Sequence, residues 1–121
     1  MTLELRSIVS PGDLANERIT MRAKSDLNVG DYLLAQSGYA DESPTINFFH
    51  TYWFPYKRIE NGDLVVVYTK RGTERTGTLT NTGKKAHFYY LDLATTIWDK
   101  PERGAVLLHA PTWQSKPANE L

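Results

Sequence analysis

The amino-acid sequence predicts an all-β protein, an antiparallel β-sandwich of about seven to nine short strands. Turn-forming residues recur roughly every eight to twelve positions, which is typical of short strands joined by tight connections. Between them, apolar and polar side chains alternate with the period of two that an extended chain gives. No segment keeps a helical period beyond about two turns. A barrel is the alternative arrangement of the same strands.

Length and composition favour a single folded domain. The chain has 121 residues, 40% hydrophobic and 12% aromatic, which is enough for a substantial core. Its 14 basic and 14 acidic residues cancel, so net charge indicates neither a nucleic-acid nor a membrane partner. Cysteine is absent, which excludes disulfides and thiolate chemistry. We recognise no signal peptide and no membrane-spanning run, and we therefore expect a cytoplasmic protein.

Three strands are predicted ahead of the most apolar stretch. Residues 17–24 give the clearest pattern, because Ile19, Met21 and Ala23 share one face while basic and hydroxyl side chains share the other. This alternation is typical of a strand with one solvated face. The predicted strands span residues 2–9, 17–24 and 32–36, and a polar loop is predicted at 37–45.

Residues 46–69 contain the densest apolar material and predict a central hairpin. Bulky aromatic side chains favour a first strand that ends at Pro55, because proline has no N–H for the ladder. Three consecutive valines favour a second strand at 64–68, and Asn61-Gly62 supplies the turn. Both faces of the aromatic strand are partly apolar, so we expect a central strand with Trp53 in the core.

The second half of the chain predicts a polar segment and further strands. Residues 70–85 are rich in glycine and threonine, which predicts an exposed loop or a polar edge hairpin. Trp98 lies within a strand-like segment and should be in the core. The later strands are predicted at 87–91, 95–98 and 105–109. Residues 1–110 should form one sandwich domain, and residues 111–121 a loosely held tail.

Four local patterns follow one another between residues 17 and 108. An alternating strand leads to a short apolar strand, an aromatic strand ends at proline, a glycine precedes an apolar strand, and a Trp-Asp pair leads through a glycine turn to a last strand. These patterns are Ile19-Thr20-Met21-Arg22-Ala23 with Tyr32-Leu33-Leu34, Tyr52-Trp53-Phe54-Pro55, Gly62-Asp63-Leu64-Val65-Val66-Val67, and Ile97-Trp98-Asp99 with Ala105-Val106-Leu107-Leu108. Their order resembles the lamin-tail domain.

This resemblance implies an immunoglobulin-like sandwich with an accessory or interaction role and no catalytic residues. The chain differs from the family pattern at two places. Val29-Gly30-Asp31-Tyr32 stands where that family usually has a Leu-Ser-Gly-Trp-like run. Lys100-Pro101-Glu102-Arg103-Gly104 stands where the family usually has an Asn-rich, Gly-Asp turn.

The basic segment 70–85 is one candidate binding site. It has five basic side chains against the single acid Glu74, namely Lys70, Arg71, Arg75, Lys84 and Lys85. Interleaved threonine and glycine would let it lie along phosphate groups. Alternatively, the charges prevent a sheet edge from pairing. Lys57-Arg58 would extend this basic patch if the fold brings that turn near.

Trp113 is the other candidate binding residue. It lies between Pro111-Thr112 and a polar tail, so we expect it to be partly exposed. It would either hold the tail against the domain or contact a neighbouring molecule, because an indole ring combines an apolar body with a polar N–H.

No pattern in the sequence indicates a catalytic or metal site. His50, His87 and His109 lack the spacing of metal ligands. The serines lack the strand–elbow–helix setting of a nucleophile, and no glycine-rich phosphate-binding motif is present. We therefore expect no cofactor.

These observations together predict a non-enzymatic domain that acts in protein–protein contact or assembly, including self-association through an edge strand or the Trp113 tail. The alternative is a nucleic-acid or anion-binding module that uses residues 70–85. A small hydrolase or carbohydrate-binding domain ranks third, since it would need a pocket with converging polar groups.

Overall fold

The computed structural model describes all 121 residues and contains ten β-strands, so the predicted all-β class is confirmed. Helical structure is limited to two 3-10 turns, Val29–Asp31 and Ala118–Glu120. No helix has the length and apolar character needed to cross a membrane. The strands are β1 (Leu3–Val9), β2 (Arg18–Ala23), β3 (Leu27–Asn28), β4 (Tyr32–Ala40), β5 (Ser43–Trp53), β6 (Arg58–Ile59), β7 (Leu64–Tyr68), β8 (Arg75–Thr78), β9 (Lys85–Tyr90) and β10 (Arg103–His109).

The strands form two larger sheets and one short ribbon. The five-stranded sheet has the order β1-β2-β7-β9-β8, the three-stranded sheet has the order β10-β4-β5, and β3 pairs with β6. All pairs are antiparallel except β7 with β9, which run parallel. One hydrophobic core draws side chains from both larger sheets. The sheets therefore pack face to face, as in a β-sandwich.

The core follows the alternation seen in the sequence. Ile19, Met21 and Ala23 on β2 are buried, as predicted. Across the core, the Tyr89 ring of β9 lies 5.2 Å from the Phe54 ring, edge to face. Aromatic pairs in this geometry add to the stability that burial gives, so this contact helps to hold the two sheets together.

The predicted hairpin over residues 46–69 is wrong. β5 belongs to the three-stranded sheet and pairs with β4, whereas β7 lies between β2 and β9 in the other sheet.

The predicted loop 37–45 is also wrong, because β4 continues to Ala40 and β5 begins at Ser43. Asp41 and Glu42 form the turn with φ of 51° and 63°. Positive φ at both central residues is typical of a tight hairpin turn.

Residues 95–98, predicted as a strand, form an irregular segment. Their backbone is bound by the side chain of Glu17, which is fully buried. The Glu17 carboxylate accepts hydrogen bonds from the N–H groups of Ile97 (2.9 Å) and Trp98 (3.2 Å). A side chain thus supplies the partner that a neighbouring strand would otherwise give. Trp98 is nevertheless buried, as predicted.

The strands predicted at 87–91 and 105–109 are present as β9 and β10. Of the two alternatives for residues 70–85, the structure has the polar edge hairpin, in which β8 is the outer strand and pairs with β9. After β10 the chain is exposed throughout and forms no further strand.

We expect Glu17→Ala to lower the free energy of unfolding by about 3 kcal/mol or more. The substitution leaves four donors without their acceptor, three of them buried, and each buried loss costs about 1–3 kcal/mol before relaxation. Besides the two N–H groups above, these donors are the N–H of Gly12 and the hydroxyl of Thr69. Urea denaturation followed by circular dichroism measures the change. Glu4→Ala is the control, because Glu4 forms only an exposed ion pair with Arg6. Equal midpoints for the two variants would contradict the role of Glu17.

Candidate functional site

β5 is an open edge of the three-stranded sheet, with β4 on one side and no strand on the other. It is eleven residues long and contains no charged side chain. Strands of about five or six residues are the most common, so this edge is unusually long. An edge strand has backbone N–H and C=O groups that can pair with another strand. β5 is therefore available for pairing along much of its length.

The other sheet edges are protected in ways that β5 is not. β1 carries the charged pair Glu4 and Arg6 and has a register shift between Leu5 and Ser7. β8 has only four residues and includes Arg75. β10 includes Arg103, and its Leu107 side chain lines a cleft shared with Leu5 of β1. Charges, bulges and short length are common protections of natural sheet edges. β5 has Pro44 and two register shifts between Pro44 and His50, but it is long and carries no Asp, Glu, Lys or Arg.

Five exposed aromatic side chains lie on β5 or close to it, and we call them the aromatic edge surface. Each member is about half exposed or more: Phe48, Phe49, Trp53, Tyr56 and Trp113. Ile46, on the same strand, is 99% exposed. Trp113 contacts both Trp53 and Tyr56, whereas the centre of the Phe49 ring lies 3.5 Å from the Arg103 guanidinium group. Exposed apolar groups that cluster are typical of interaction sites.

The exposure of Trp53 corrects the prediction that it lies in the core. Its side chain is 47% exposed, because β5 is an edge strand and no further layer covers its outer face. Trp113 is half exposed, as predicted, and its ring lies 4.7 Å from that of Trp53 in an edge-to-face arrangement. The Trp113 indole N–H also donates to the Tyr56 hydroxyl (3.2 Å). Trp113 thus holds the tail against the sheet and enlarges the aromatic edge surface.

The five basic side chains of residues 70–85 do not converge. The ammonium group of Lys70 lies 4.9 Å from the ring centre of Tyr68, and the guanidinium group of Arg75 lies 4.1 Å from that of Phe88. Both charges are therefore held on aromatic faces of the sheet. Arg71 and Lys84 are exposed. Only Lys85 joins other basic groups, in a pocket that Lys57 and Arg58 also line. Lys57 and Arg58 therefore do lie near the basic segment 70–85, but of its five basic side chains they share a pocket only with Lys85.

This polar pocket has a volume of about 300 Å³ and no hydrophobic residue in its lining. Two of its lining residues are buried, His87 with 3% exposure and Asp63 with 2%. His87 Nε2 lies 2.9 Å from a carboxylate oxygen of Asp63, and His87 Nδ1 lies 3.3 Å from the Thr76 hydroxyl. The full lining is Lys57, Arg58, Glu60, Asp63, Thr76, Lys85 and His87.

The hydrogen bonds to Asp63 determine its ionisation. Burial by itself favours the neutral acid, but the side chain of His87 and the N–H groups of Glu60 (3.0 Å) and Lys85 (3.2 Å) favour the carboxylate. Together they outweigh burial, and the pKa of Asp63 lies below its ordinary value. Asp63 is therefore an ionised, hydrogen-bonded carboxylate in the base of the pocket.

No local sequence pattern predicts this pocket. Asp63 immediately precedes β7, and the parallel pairing of β7 with β9 brings it to Lys85 and His87. A contact between residues 24 positions apart has no local signature. The other histidines lie elsewhere, with His109 stacked on Tyr32. No group of three or more His, Asp or Glu side chains is arranged to hold a metal ion.

No protein-family model matches this chain, and no curated protein matches it. The resemblance to the lamin-tail domain therefore remains a prediction.

The pKa of Asp63 predicts a pH dependence of stability. Because the folded-state pKa is lowered, the stabilising contribution of Asp63 is fully present above the unfolded pKa of about 3.9 and is lost as the pH falls below it. We expect Asp63→Asn to be less stable than the parent protein near neutral pH and to lose less stability on acidification. Urea denaturation at a series of pH values measures both effects. Asp41→Asn, in an exposed turn that tolerates asparagine, is the control. Parallel curves for the parent and Asp63→Asn would contradict the assignment.

Proposed function

We propose that this protein is a non-catalytic assembly module that self-associates by pairing the free edge of β5 with β5 of a second copy. The observation that carries the proposal is an eleven-residue edge strand without a charged side chain, with half-exposed aromatic rings on and near it. Pairing through a sheet edge uses backbone hydrogen bonds for affinity and neighbouring side chains for specificity.

The chemistry of β5 favours a second copy as the partner. A twofold axis would bring two β5 strands together antiparallel, which is a self-complementary arrangement. Two three-stranded sheets would then form one continuous sheet. No charge on either strand opposes this approach, and the formal net charge of zero removes long-range repulsion between copies.

The aromatic edge surface would contribute most of the buried apolar area. Side chains that lie opposite each other on antiparallel strands interact directly, and aromatic pairs are among the more favourable ones. Trp53 and Trp113 already pack against each other beside β5. Tryptophan and tyrosine are over-represented among the residues that dominate binding energy at protein interfaces. The tail therefore acts as part of the contact surface.

A nucleic-acid module that uses residues 70–85 has less support. A track for a phosphate backbone needs several free basic groups along one surface. In this protein Lys70 and Arg75 lie on aromatic rings, while Lys85 turns to a separate pocket. These positions support a protein–protein role over an extended nucleic-acid interface.

Size-exclusion chromatography with light scattering tests the proposal. We expect the parent chain to form dimers at concentrations up to about 100 μM, and we expect Ile46→Lys with Thr51→Lys to be monomeric, because a lysine on an edge strand opposes pairing. Both side chains are exposed, so the variant should retain the parent circular-dichroism spectrum.

Thr78→Lys with Thr80→Lys is the matched control. It adds the same charge at exposed positions on and beside β8, at the edge of the other sheet. We expect this variant to dimerise as the parent does. A monomeric parent chain, or equal loss of dimer in both double variants, would contradict the assignment of β5 as the interface.

A further inference from the structure

We propose that the polar pocket is a binding site for a small tetrahedral oxyanion, a phosphate or sulfate group. This site is separate from the β5 edge. Its volume of about 300 Å³ lies at the lower end of the range for small-molecule sites, and all of its lining residues are polar or charged.

Two ammonium groups in the pocket lack a carboxylate partner. The ion pairs of the protein join Arg6 to Glu4, Arg58 to Asp26 and His87 to Asp63. Neither Lys57 nor Lys85 is among them. Lys57 donates instead to the Thr76 hydroxyl. Two lysines that converge on one pocket without a counter-charge favour an anion there.

Neither carboxylate of the pocket forms an ion pair with these lysines. Asp63 already accepts hydrogen bonds from two backbone N–H groups and from His87, so its oxygens are satisfied. Arg58 is paired with Asp26, which lies outside the lining. A bound anion would therefore compete only with the Glu60 carboxylate for the two lysines.

The Thr76 hydroxyl connects the pocket opening to its buried base. When His87 Nε2–H donates to Asp63, Nδ1 accepts the hydroxyl hydrogen of Thr76. Thr76 therefore links Lys57 at the pocket opening to the buried pair of His87 and Asp63.

Isothermal titration calorimetry with sulfate and with inorganic phosphate, in a buffer low in chloride, tests the site. We expect saturable binding to the parent protein at millimolar concentrations. Lys57→Gln and Lys85→Gln should each weaken binding roughly tenfold, as expected for the loss of a charge-assisted hydrogen bond.

Two further variants distinguish specific binding in the pocket from nonspecific electrostatic attraction to the protein surface. Lys84→Gln removes the same charge beside Lys85 but outside the pocket lining, so sulfate binding should change little. Glu60→Gln removes the one pocket carboxylate without a hydrogen-bonded partner and should strengthen binding. A purely structural role for the pocket would not produce this gain. Circular dichroism confirms the fold of each variant.

Three outcomes would overturn the proposal: no saturable heat with either anion, equal weakening by Lys84→Gln and Lys85→Gln, or weaker binding by Glu60→Gln. A single-stranded oligonucleotide, titrated in parallel, distinguishes a free anion from a backbone phosphate. If oligonucleotide binding is lost with Arg71→Gln and Lys84→Gln but retained in the pocket variants, and neither free anion binds, then the exposed hairpin and not the pocket is the phosphate site.

Discussion

The buried carboxylate of Glu17 is the interaction on which the path of the chain depends. It lies just before β2 and is hydrogen-bonded to the turn at Gly12, to Thr69 at the end of β7 and to the segment at Ile97 and Trp98. A charge without access to water is tolerated only when hydrogen bonds replace its hydration. Four donors do so here, which fixes three remote segments around one side chain.

The position of β7 in the five-stranded sheet separates the two candidate sites. With β7 between β2 and β9, β5 pairs only with β4 and becomes an outer strand. The parallel pairing of β7 with β9 also brings Asp63 to Lys85 and His87. A hairpin of β5 with β7 would have covered the β5 edge and left the polar pocket unformed. One choice of strand pairing therefore creates both features.

The outer strands of the two sheets differ in how readily they can pair with another strand. Charged residues limit pairing at β1, and a charged residue and short length limit it at β8. β5 also has register shifts, but it is long, carries no Asp, Glu, Lys or Arg, and has exposed aromatic rings on and near it. Unprotected edges carry a risk of aggregation, so a defined partner that covers β5 would benefit stability as well as assembly.

The sequence by itself determined the all-β class, the buried face of β2, the polar character of residues 70–85 and the exposure of Trp113. Each of these depends on local alternation, on turn residues or on local composition. Only the tertiary structure decided that β5 pairs with β4, that Trp53 is exposed and that Asp63 meets His87. Alternation shows which side chains share a face of a strand, but it does not show which strand lies alongside or whether a second layer covers that face. Those choices depend on contacts between distant residues, whose energies are settled only when the whole chain packs.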